Sequence, residues 1–248
     1  MPGKVVTQAE WLQARRDLLI REKVLQKSHD AVHSTLRDFP MIKVENNYTF
    51  TSASGPVTLS SLFHNRKQLI IYHFMLSPTQ TAGCTGCSFF ADNLPSNLSH
   101  LNSRDTTFVL VSRAPIEKIE EFKKRMRWEY EWVSSYDTNF NADFGVLIEP
   151  GGQYNYEVVN SKGDRPGLSV FFKDGEEVFH TYSTYARGLD GLLGTHKLLD
   201  ITPLGRQDDE MGDWKLHDEY DDEDLKNNVG DKEGLTYLRA ALHYFFRD

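Results

Sequence analysis

Hydrophobic and polar positions along this 248-residue chain follow two spacings, and each spacing predicts a different kind of element. Near the N-terminus, large apolar side chains recur every seven positions, which is typical of one narrow stripe along a helix: Trp11, Leu18, Leu25, Val32 and Phe39. Thr7 and Glu10 form a capping box at its start, and Pro40 cannot continue a helix. The pattern therefore predicts one long helix that ends near Arg37.

This stripe has two interpretations. A stripe that repeats every seven residues is typical of a seam between two helices, so the helix could join two copies of the chain in a homodimer. Alternatively, the stripe packs against its own domain. We favour the second interpretation because the other seam position of each heptad is mostly polar.

The middle of the chain alternates between strand and helix patterns. Residues 69–74 form an apolar run suited to a buried strand, and three further short runs are predicted strands: 107–111, 168–172 and 177–181. A helix is predicted after the first run, to about Leu98, and another at 116–127 after the second. The last two runs flank Lys173-Asp174-Gly175, which is a β-hairpin turn signal. Parallel crossover units followed by an antiparallel hairpin predict an α/β sheet.

The acidic residues are concentrated near the C-terminus. Ten of the 36 Asp and Glu lie between Gln207 and Lys226, and without this run the chain, whose net charge is −8, is close to neutral. We interpret the run as a solvated segment, followed by a short amphipathic helix with apolar residues from Leu235 to Phe246. Nucleic-acid binding is not expected, since it needs clustered positive charge.

The chain lacks the apolar lengths that membranes and secretion require. No stretch approaches the roughly 20 apolar residues of a bilayer-spanning helix, and residues 1–16 have no apolar signal core. We therefore expect a cytoplasmic protein without membrane association. In the reducing cytosol, a cysteine pair is more often catalytic or metal-binding than structural.

The cysteines of this chain lie three residues apart, as Cys84 and Cys87, and there are two in all. The pair follows the first predicted strand and opens the next helix. Backbone N–H groups and the dipole at a helix start favour a negative charge, so Cys84 is predicted to be the attacking thiol. Cys87, one turn later and more buried, is predicted to resolve the mixed disulfide. This chemistry requires no cofactor.

Other polar residues are candidates for the same site. Arg113 follows the second predicted strand at the same sheet edge, so it either faces the Cys84 thiolate or forms an ordinary ion pair. His73 lies within an apolar run and is predicted to be a hydrogen-bonded core histidine. The alternative for His73 and His180 is to serve with the two cysteines as metal ligands.

Several motifs together resemble one family. They are Tyr72-His73-Phe74-Met75, Cys84-x-x-Cys87-Ser88, Asp92, Val111-Ser112-Arg113-Ala114-Pro115, Trp132-Val133-Ser134-Ser135, Phe140-Asn141-x-Asp143-Phe144, Pro166-Gly167-Leu168-Ser169-Val170-Phe171 and His180-Thr181-Tyr182-Ser183-Thr184-Tyr185-x-Arg187-Gly188. This combination resembles the thioredoxin-like family of predicted dithiol–disulfide oxidoreductases in the alkyl hydroperoxide reductase/thiol-specific antioxidant superfamily. The resemblance covers about residues 5–220.

The resemblance implies a thioredoxin-like fold with a central mixed sheet and an N-terminal helical extension. The acidic C-terminal segment is a second extension, and from about Asp221 to Asp248 it has no counterpart in the family. The expected divisions are an N-terminal helical extension (1–40), a thioredoxin-like domain (41–205) and an acidic segment with a C-terminal helix (206–248). In such folds a cis-proline precedes a late strand and faces the sulfur atoms, and Pro166 occupies that position. Most X-Pro bonds are trans, so both isomers stay open here.

A looser resemblance connects the middle of the chain with peroxiredoxins. Thr81-x-x-Cys84 is similar to the motif whose threonine hydrogen-bonds the peroxidatic thiolate, which makes Thr81 a candidate site residue. Two features depart from that motif. Pro78 is one residue closer to the threonine than in the motif, and Cys87 is unusually near for a resolving partner.

The leading hypothesis is a thiol–disulfide oxidoreductase that acts on protein or small-molecule disulfides or thiols and uses an unidentified electron donor. One alternative is a thiol peroxidase, in which Cys84 becomes a sulfenic acid and condenses with Cys87. Another is a copper-binding or copper-delivery module with Cys84, Cys87 and a histidine as ligands. A non-catalytic scaffold is the remaining alternative.

Overall fold

The computed structural model describes residues 3–207, 214–221 and 224–225. Its α-helices are α1 (Gln8–Arg37), α2 (Thr85–Asp92), α3 (Ser99–Asn102), α4 (Ile116–Arg125), α5 (Phe140–Asp143) and α6 (Gly194–Asp200). Its strands are β1 (Ile42–Lys43), β2 (Thr49–Ser52), β3 (Gly55–Thr58), β4 (Gln68–His73), β5 (Thr106–Ser112), β6 (Trp132–Ser134), β7 (Leu147–Ile148), β8 (Gln153–Tyr154), β9 (Glu157–Val158), β10 (Gly163–Asp164), β11 (Gly167–Asp174) and β12 (Glu177–Tyr185). None of the described helices is both long enough and apolar enough to cross a membrane.

A mixed sheet forms the centre of the described structure. Its strand order is β1-β12-β11-β4-β5-β6-β2-β3. Strands β4 and β5 are parallel and are connected through α2, whereas β11 is antiparallel to β4 and forms a hairpin with β12. The order β12-β11-β4-β5, with this crossover and hairpin, is the thioredoxin-like arrangement. The predicted α/β class, with a central mixed sheet and an N-terminal helix, is confirmed.

Helix α1 has the predicted bounds and the predicted cap. The Glu10 N–H donates to Thr7 Oγ1 at 3.3 Å, and the Thr7 N–H donates to Glu10 Oε2 at 2.9 Å. However, none of its 30 residues is buried. The interpretation that the apolar stripe packs on its own domain is therefore wrong. Heptad spacing shows that a stripe exists, but it does not show what covers the stripe.

Helix α2 is shorter than the sequence predicted. It ends at Asp92 rather than near Leu98, and the Asn93 side chain donates to the Phe89 carbonyl at 2.8 Å in the last turn. Pro95 follows two residues later, where its ring disfavours a helical conformation at the preceding residue. The predicted helix therefore divides into α2 and the separate turn α3.

The two faces of the sheet carry separate apolar clusters. Because side chains alternate along a strand, Tyr72 and Phe74 belong to one cluster, whereas Leu69 and Ile71 of the same strand belong to the other. Cys87 lies in the first cluster, where the Tyr72 ring stacks on Phe90 of α2 with 3.9 Å between centroids. The cysteine helix therefore packs on the Tyr72 face of the sheet.

Part of the acidic run packs against α2. The Trp214 ring stacks on Phe89 at 4.2 Å, and Leu216 is 3% exposed within the same cluster as Cys87. Nδ1 of His217 lies 2.8 Å from the Asp92 carboxylate. We call residues 214–221 the C-terminal strap. The expected solvated segment thus contains side chains that belong to the core.

Charged residues of the strap also contact the domain. Arg125 at the end of α4 forms ion pairs with Asp218 and Glu219, each with a shortest N–O distance of 2.8 Å. These pairs are exposed, and each contributes on the order of 0–1 kcal/mol at most. Burial of Leu216 is therefore the larger stabilising contribution. The predicted helix from Leu235 to Phe246 lies outside the described residues.

The first prediction concerns the strap. Leu216→Ala should lower the free energy of unfolding by roughly 2–5 kcal/mol, because it removes a buried side chain and leaves a cavity. Leu204→Ala is the matched control, since Leu204 is 57% exposed. Urea denaturation of the two variants measures the difference. Equal, small effects would contradict the packing of the strap.

Candidate functional site

Cys84 and Cys87 lie at the start of α2, as the sequence predicted. Cys84 is the N-cap residue of the helix, and its N–H donates to the Met75 carbonyl at 3.1 Å. Cys84 is partly exposed, whereas Cys87 is 1% exposed, and both are free thiols. The two sulfur atoms therefore occupy different environments, one accessible from solvent and one within the apolar cluster.

Gly83 allows the loop to reach this position. A Cβ at Gly83 would lie 2.6 Å from Cε1 of Phe122 and 2.7 Å from Cε1 of Phe74, which is closer than carbon atoms can approach. Gly83 is buried against these rings. The absence of a side chain at this residue therefore places Cys84 directly above the aromatic cluster.

Hydrogen bonds stabilise the Cys84 thiolate. The Cys87 S–H is the main donor, and the backbone N–H groups of Cys87 and Gly86 add to it. Together they lower the pKa of the Cys84 thiol to about 6, although burial acts in the opposite direction. Orphan N–H groups at a helix start commonly act in this way. Cys84 is therefore the more acidic of the two thiols.

Cys87 has the opposite electrostatic environment. Burial in the apolar cluster is the main cause that raises its pKa, and its hydrogen bond to Cys84 raises it further. Two donors oppose this shift: the Tyr72 hydroxyl and the Met75 N–H, which lies 3.4 Å from the sulfur. Cys87 is therefore a protonated thiol. The Tyr72 hydroxyl and the Met75 N–H could stabilise its thiolate once the proton is lost.

Sequence reasoning missed two tyrosines at this site. Tyr72 precedes His73 on β4, and strand alternation places it on the face where α2 packs. Burial raises the pKa of Tyr154 to about 12, with the charge of Cys87 a smaller contributor. The Tyr154 hydroxyl donates to the Pro166 carbonyl at 2.9 Å. Alternation could have identified Tyr72, but no sequence signal pointed to Tyr154.

Arg113 and Thr81 are not among the groups that lower the pKa of Cys84. The Arg113 guanidinium forms a two-point ion pair with Asp164, with distances of 2.7 and 2.9 Å. The structure therefore agrees with the interpretation that Arg113 forms an ion pair. Thr81 is exposed in the loop before Cys84.

Pro166 directly precedes β11, as expected, but its geometry differs from the one that the family resemblance suggested. No peptide bond among the described residues is cis, so Pro166 follows a trans bond. Its carbonyl is engaged by Tyr154, whose hydroxyl also accepts the Ala186 N–H at 3.2 Å. Tyr154 thus links the two residues: its hydroxyl binds the Pro166 carbonyl, and its pKa responds to the charge of Cys87.

The histidines form a separate hydrogen-bonded chain. His73 Nε2 lies 2.9 Å from Ser169 Oγ, which lies 2.8 Å from Ser183 Oγ, and His180 Nε2 lies 2.7 Å from Ser183 Oγ. His180 Nε2 also lies 3.0 Å from the Tyr182 carbonyl, which can only accept, so this nitrogen carries the proton. The prediction that His73 is a hydrogen-bonded core histidine agrees with this chain.

This chain lies on the face of the sheet opposite the cysteines. The His73 ring contacts Phe140 and Phe144, and the His180 ring contacts Phe144, all on the far side from Cys87. Neither histidine can therefore complete a metal site with the cysteines. Within the described residues, no group of three or more His, Cys, Asp and Glu side chains could hold a metal ion. The ligand set that the copper alternative required is not assembled.

Comparisons with known proteins give one family match. A sequence model of the family described as "Bacterial protein of unknown function (DUF899)" matches residues 2–220. No protein with a curated description matches the chain.

Solved structures with similar folds include thiol proteins from three bacteria. Peroxidoxin BcpB from Mycobacterium tuberculosis is 17% identical, with a TM-score of 0.45 over 65% of this chain and 97% of that chain. PrxQ from Xylella fastidiosa, as a mutant, is 18% identical, with a TM-score of 0.43 over 64% and 94% of the two chains. A thiol:disulfide interchange protein from Bacteroides sp. is 15% identical, with a TM-score of 0.41 over 65% and 91%.

The second prediction concerns the acidity of Cys84. Its alkylation rate by iodoacetamide should rise with pH through a midpoint of about 6. Cys87→Ala should raise this midpoint, because the variant loses the S–H donor. Ser88→Ala is the control, since the Ser88 hydroxyl donates to the Cys84 carbonyl and not to its sulfur. A wild-type midpoint near the ordinary thiol value of about 8.5 would contradict the assignment.

The third prediction concerns stability in acid. Burial lowers the pKa of His73 to about 3, so between pH 6.5 and 3 the unfolded chain binds a proton that the folded chain excludes. Stability should therefore fall as the pH falls through this window, by up to about 1.4 kcal/mol per pH unit for His73, and His180 adds in the same direction.

Urea denaturation as a function of pH measures this slope. His73→Asn should flatten it, whereas His100→Asn, at an exposed position of α3, should leave it unchanged. A His73→Asn variant with the wild-type slope would show that His73 does not cause the loss of stability.

Proposed function

This chain belongs to the DUF899 family of bacterial proteins. We propose that it is a thiol–disulfide oxidoreductase in which Cys84 attacks the substrate disulfide and Cys87 resolves the mixed disulfide. The observation that carries the proposal is the asymmetry of the two thiols. Cys84 is partly exposed with a lowered pKa, whereas Cys87 is buried with a raised pKa. The attacking thiol must be accessible and ionised, whereas the resolving thiol must lie nearby and stay protonated until the mixed disulfide has formed.

The reaction follows from this asymmetry. The Cys84 thiolate attacks one sulfur of a substrate disulfide, forms a mixed disulfide and releases the other substrate sulfur as a thiolate. The Cys87 thiol then loses its proton and attacks Cys84 Sγ, which releases the second substrate thiolate. The protein gains the Cys84–Cys87 disulfide, and the substrate gains two electrons. A thiol donor of unidentified nature returns the protein to its dithiol form.

The second step requires help, because Cys87 must ionise inside an apolar cluster. In the resting protein the Cys84 thiolate is the acceptor of the Cys87 proton, but it is consumed when the mixed disulfide forms. The Tyr72 hydroxyl and the Met75 N–H are then the donors that stabilise a negative charge on Cys87. We assign Tyr72 as a positioning residue for resolution.

A thiol peroxidase is the second candidate, and the low pKa of Cys84 favours it as well. In that reaction Cys84 takes an oxygen atom from the peroxide, and Cys87 condenses with the sulfenic acid and releases water. A peroxidase also needs donors that polarise the peroxide. Of the two residues expected beside the Cys84 thiolate, Arg113 is ion-paired to Asp164 and Thr81 is exposed in the preceding loop. The exchange reaction is therefore the better supported of the two.

The fourth prediction tests the two-step reaction with Ellman's reagent, a small aromatic disulfide. One equivalent should release two thionitrobenzoate ions per reduced chain, the first by Cys84 and the second by Cys87. Cys87→Ser should release one and retain a stable mixed disulfide, while Cys84→Ser should react slowly. Stopped-flow absorbance follows both releases. A wild-type protein that stops at one release would overturn the role of Cys87.

Tyr72→Phe extends this test. Loss of its hydroxyl should slow the second release by about two- to tenfold without affecting the first, since a net hydrogen bond contributes roughly 0.5–1.5 kcal/mol. The matched control is Tyr130→Phe, because Tyr130 lies in the same cluster but its hydroxyl donates to the Leu94 carbonyl. Equal rates in the two variants would remove Tyr72 from the mechanism.

A redox titration in glutathione buffers distinguishes the two candidate functions. The exchange function requires a reversible two-electron transition at roughly −120 to −270 mV. In parallel, reduced protein is mixed with peroxide and its thiols are counted over time. Rapid loss of Cys84, faster than its reaction with disulfides, would move the assignment to the peroxidase.

A further inference from the structure

The apolar stripe of α1 is uncovered within the described residues. Its members, including Phe39 just beyond the helix, expose between 48% and 59% of their surface: Trp11, Leu18, Leu25, Val32 and Phe39. A helix in water draws most of its stability from packing of an apolar face. The stripe extends over more than three heptads, which is the length that a coiled-coil seam requires. The α1 stripe is therefore long enough for a coiled-coil seam, and none of the described residues covers it.

The alternate seam positions of the same helix carry mostly small residues: Ala14, Arg21, Ser28 and Thr35. The Ser28 hydroxyl donates to the Val24 carbonyl at 3.1 Å, and the Thr35 hydroxyl donates to the Ala31 carbonyl at 3.2 Å. Both hydroxyls are thus already satisfied within the helix. An apolar partner could cover them without leaving an unpaired donor.

We propose that two copies of this chain pair through α1 in antiparallel orientation. In this register each large stripe residue of one copy meets a smaller or flexible seam residue of the other: Trp11 with Thr35, Leu18 with Ser28, Leu25 with Arg21 and Val32 with Ala14. Large residues facing small ones interdigitate, which well-packed seams require. A parallel pair would instead place Trp11 against Trp11 and bring the two Arg21 charges together.

The same register accounts for a second uncovered surface. A groove of about 510 Å³ lies beside β12, and its apolar rim includes Phe39, Met41 and Ile42, with Tyr156 on the opposite side. Met41 and Ile42 are 52% and 68% exposed. With Trp11 opposite Thr35, the start of α1 in the second copy lies beside the end of α1 that leads into Met41, so the segment with Val5 enters next to this groove. Val5 is 79% exposed in the single chain, so both surfaces would become covered.

The edge of β12 along this groove can accept an extended segment. Strand β1 pairs with β12 at Ile42 with His180 and Lys43 with Phe179, and the Val44 N–H donates to the Val178 carbonyl, so among the described residues no strand pairs on that side after His180. The Ser183 carbonyl there accepts the Tyr156 hydroxyl at 2.8 Å instead of a backbone N–H. Open strand edges bind extended peptides. Residues 4–6 of the second copy, which precede α1, are the segment that the register brings there.

Light scattering after size-exclusion chromatography tests the pairing. The wild-type chain should have twice its 28.5 kDa mass. Leu18→Glu should raise the dimer dissociation constant more than about tenfold, because it places a charge in each half of the seam. Ile20→Glu is the matched control, since Ile20 is 63% exposed and lies off the stripe. Both variants should fold, because no residue of α1 is buried against the parts of the chain that the structure describes.

Val5→Glu tests the groove and should also weaken the dimer, while far-UV circular dichroism verifies that all three variants are folded. A monomeric wild-type protein, or a Leu18→Glu variant as dimeric as Ile20→Glu, would overturn the pairing. A Val5→Glu variant with the wild-type dissociation constant would overturn the occupant proposed for the groove.

Cross-linking tests the orientation independently of the proposed redox function. In a chain with Cys84→Ser and Cys87→Ser, one preparation carries Leu18→Cys and a second carries Ser28→Cys. After mixing and mild oxidation, the antiparallel register predicts disulfides between the two preparations. Disulfides formed within the Leu18→Cys preparation alone would indicate a parallel pair and overturn the proposal.

Discussion

The hydrogen bond between the two thiols is the interaction on which the site depends. It can form because Gly83 brings the loop down onto Phe74 and Phe122, and because Cys87 lies one turn into α2, within the cluster beneath. The proton between the two sulfur atoms stays on Cys87. The outer sulfur gains a donor and becomes acidic, whereas the inner sulfur loses hydration and holds its proton. One contact thereby gives two chemically identical side chains different acidities, with a lowered pKa at Cys84 and a raised pKa at Cys87.

Strand parity determines which side chains can take part in this chemistry. Tyr72 and His73 are neighbours on β4, yet they point to opposite faces of the sheet. Tyr72 therefore reaches Cys87, while His73 joins a chain of two serines and His180 on the other face. The sequence motif that contains both residues gives no indication of this division. It becomes visible once the face that carries α2 is known.

Local signals in the sequence located α1, the start of α2 and the central strands, but not the end of α2, the short strands such as β7–β10 or the partners of the side chains. The capping box of α1, the position of Cys84 at the start of α2, and the parallel crossover and hairpin of the central strands follow from spacing and from residues close in the chain. The partner of Arg113 is Asp164, which is 51 residues away, and no local pattern relates them. The isomer of the Pro166 bond and the exposure of the α1 stripe likewise depend on distant packing. Long-range contacts therefore limited what the sequence could predict.

The C-terminal strap changes where the folding unit ends. Asp92, on the last turn of the cysteine helix, accepts hydrogen bonds from both Trp128 and His217, and Leu216 fills a place in the cluster around Cys87. A division of the chain at residue 205 separates these groups from the helix that they support. The family match extends to residue 220, through nearly the whole strap. The smallest fragment that retains the cysteine helix in its full packing environment therefore includes residues 214–221. That stretch is acidic in sequence, yet it contains Leu216, a buried residue of the core.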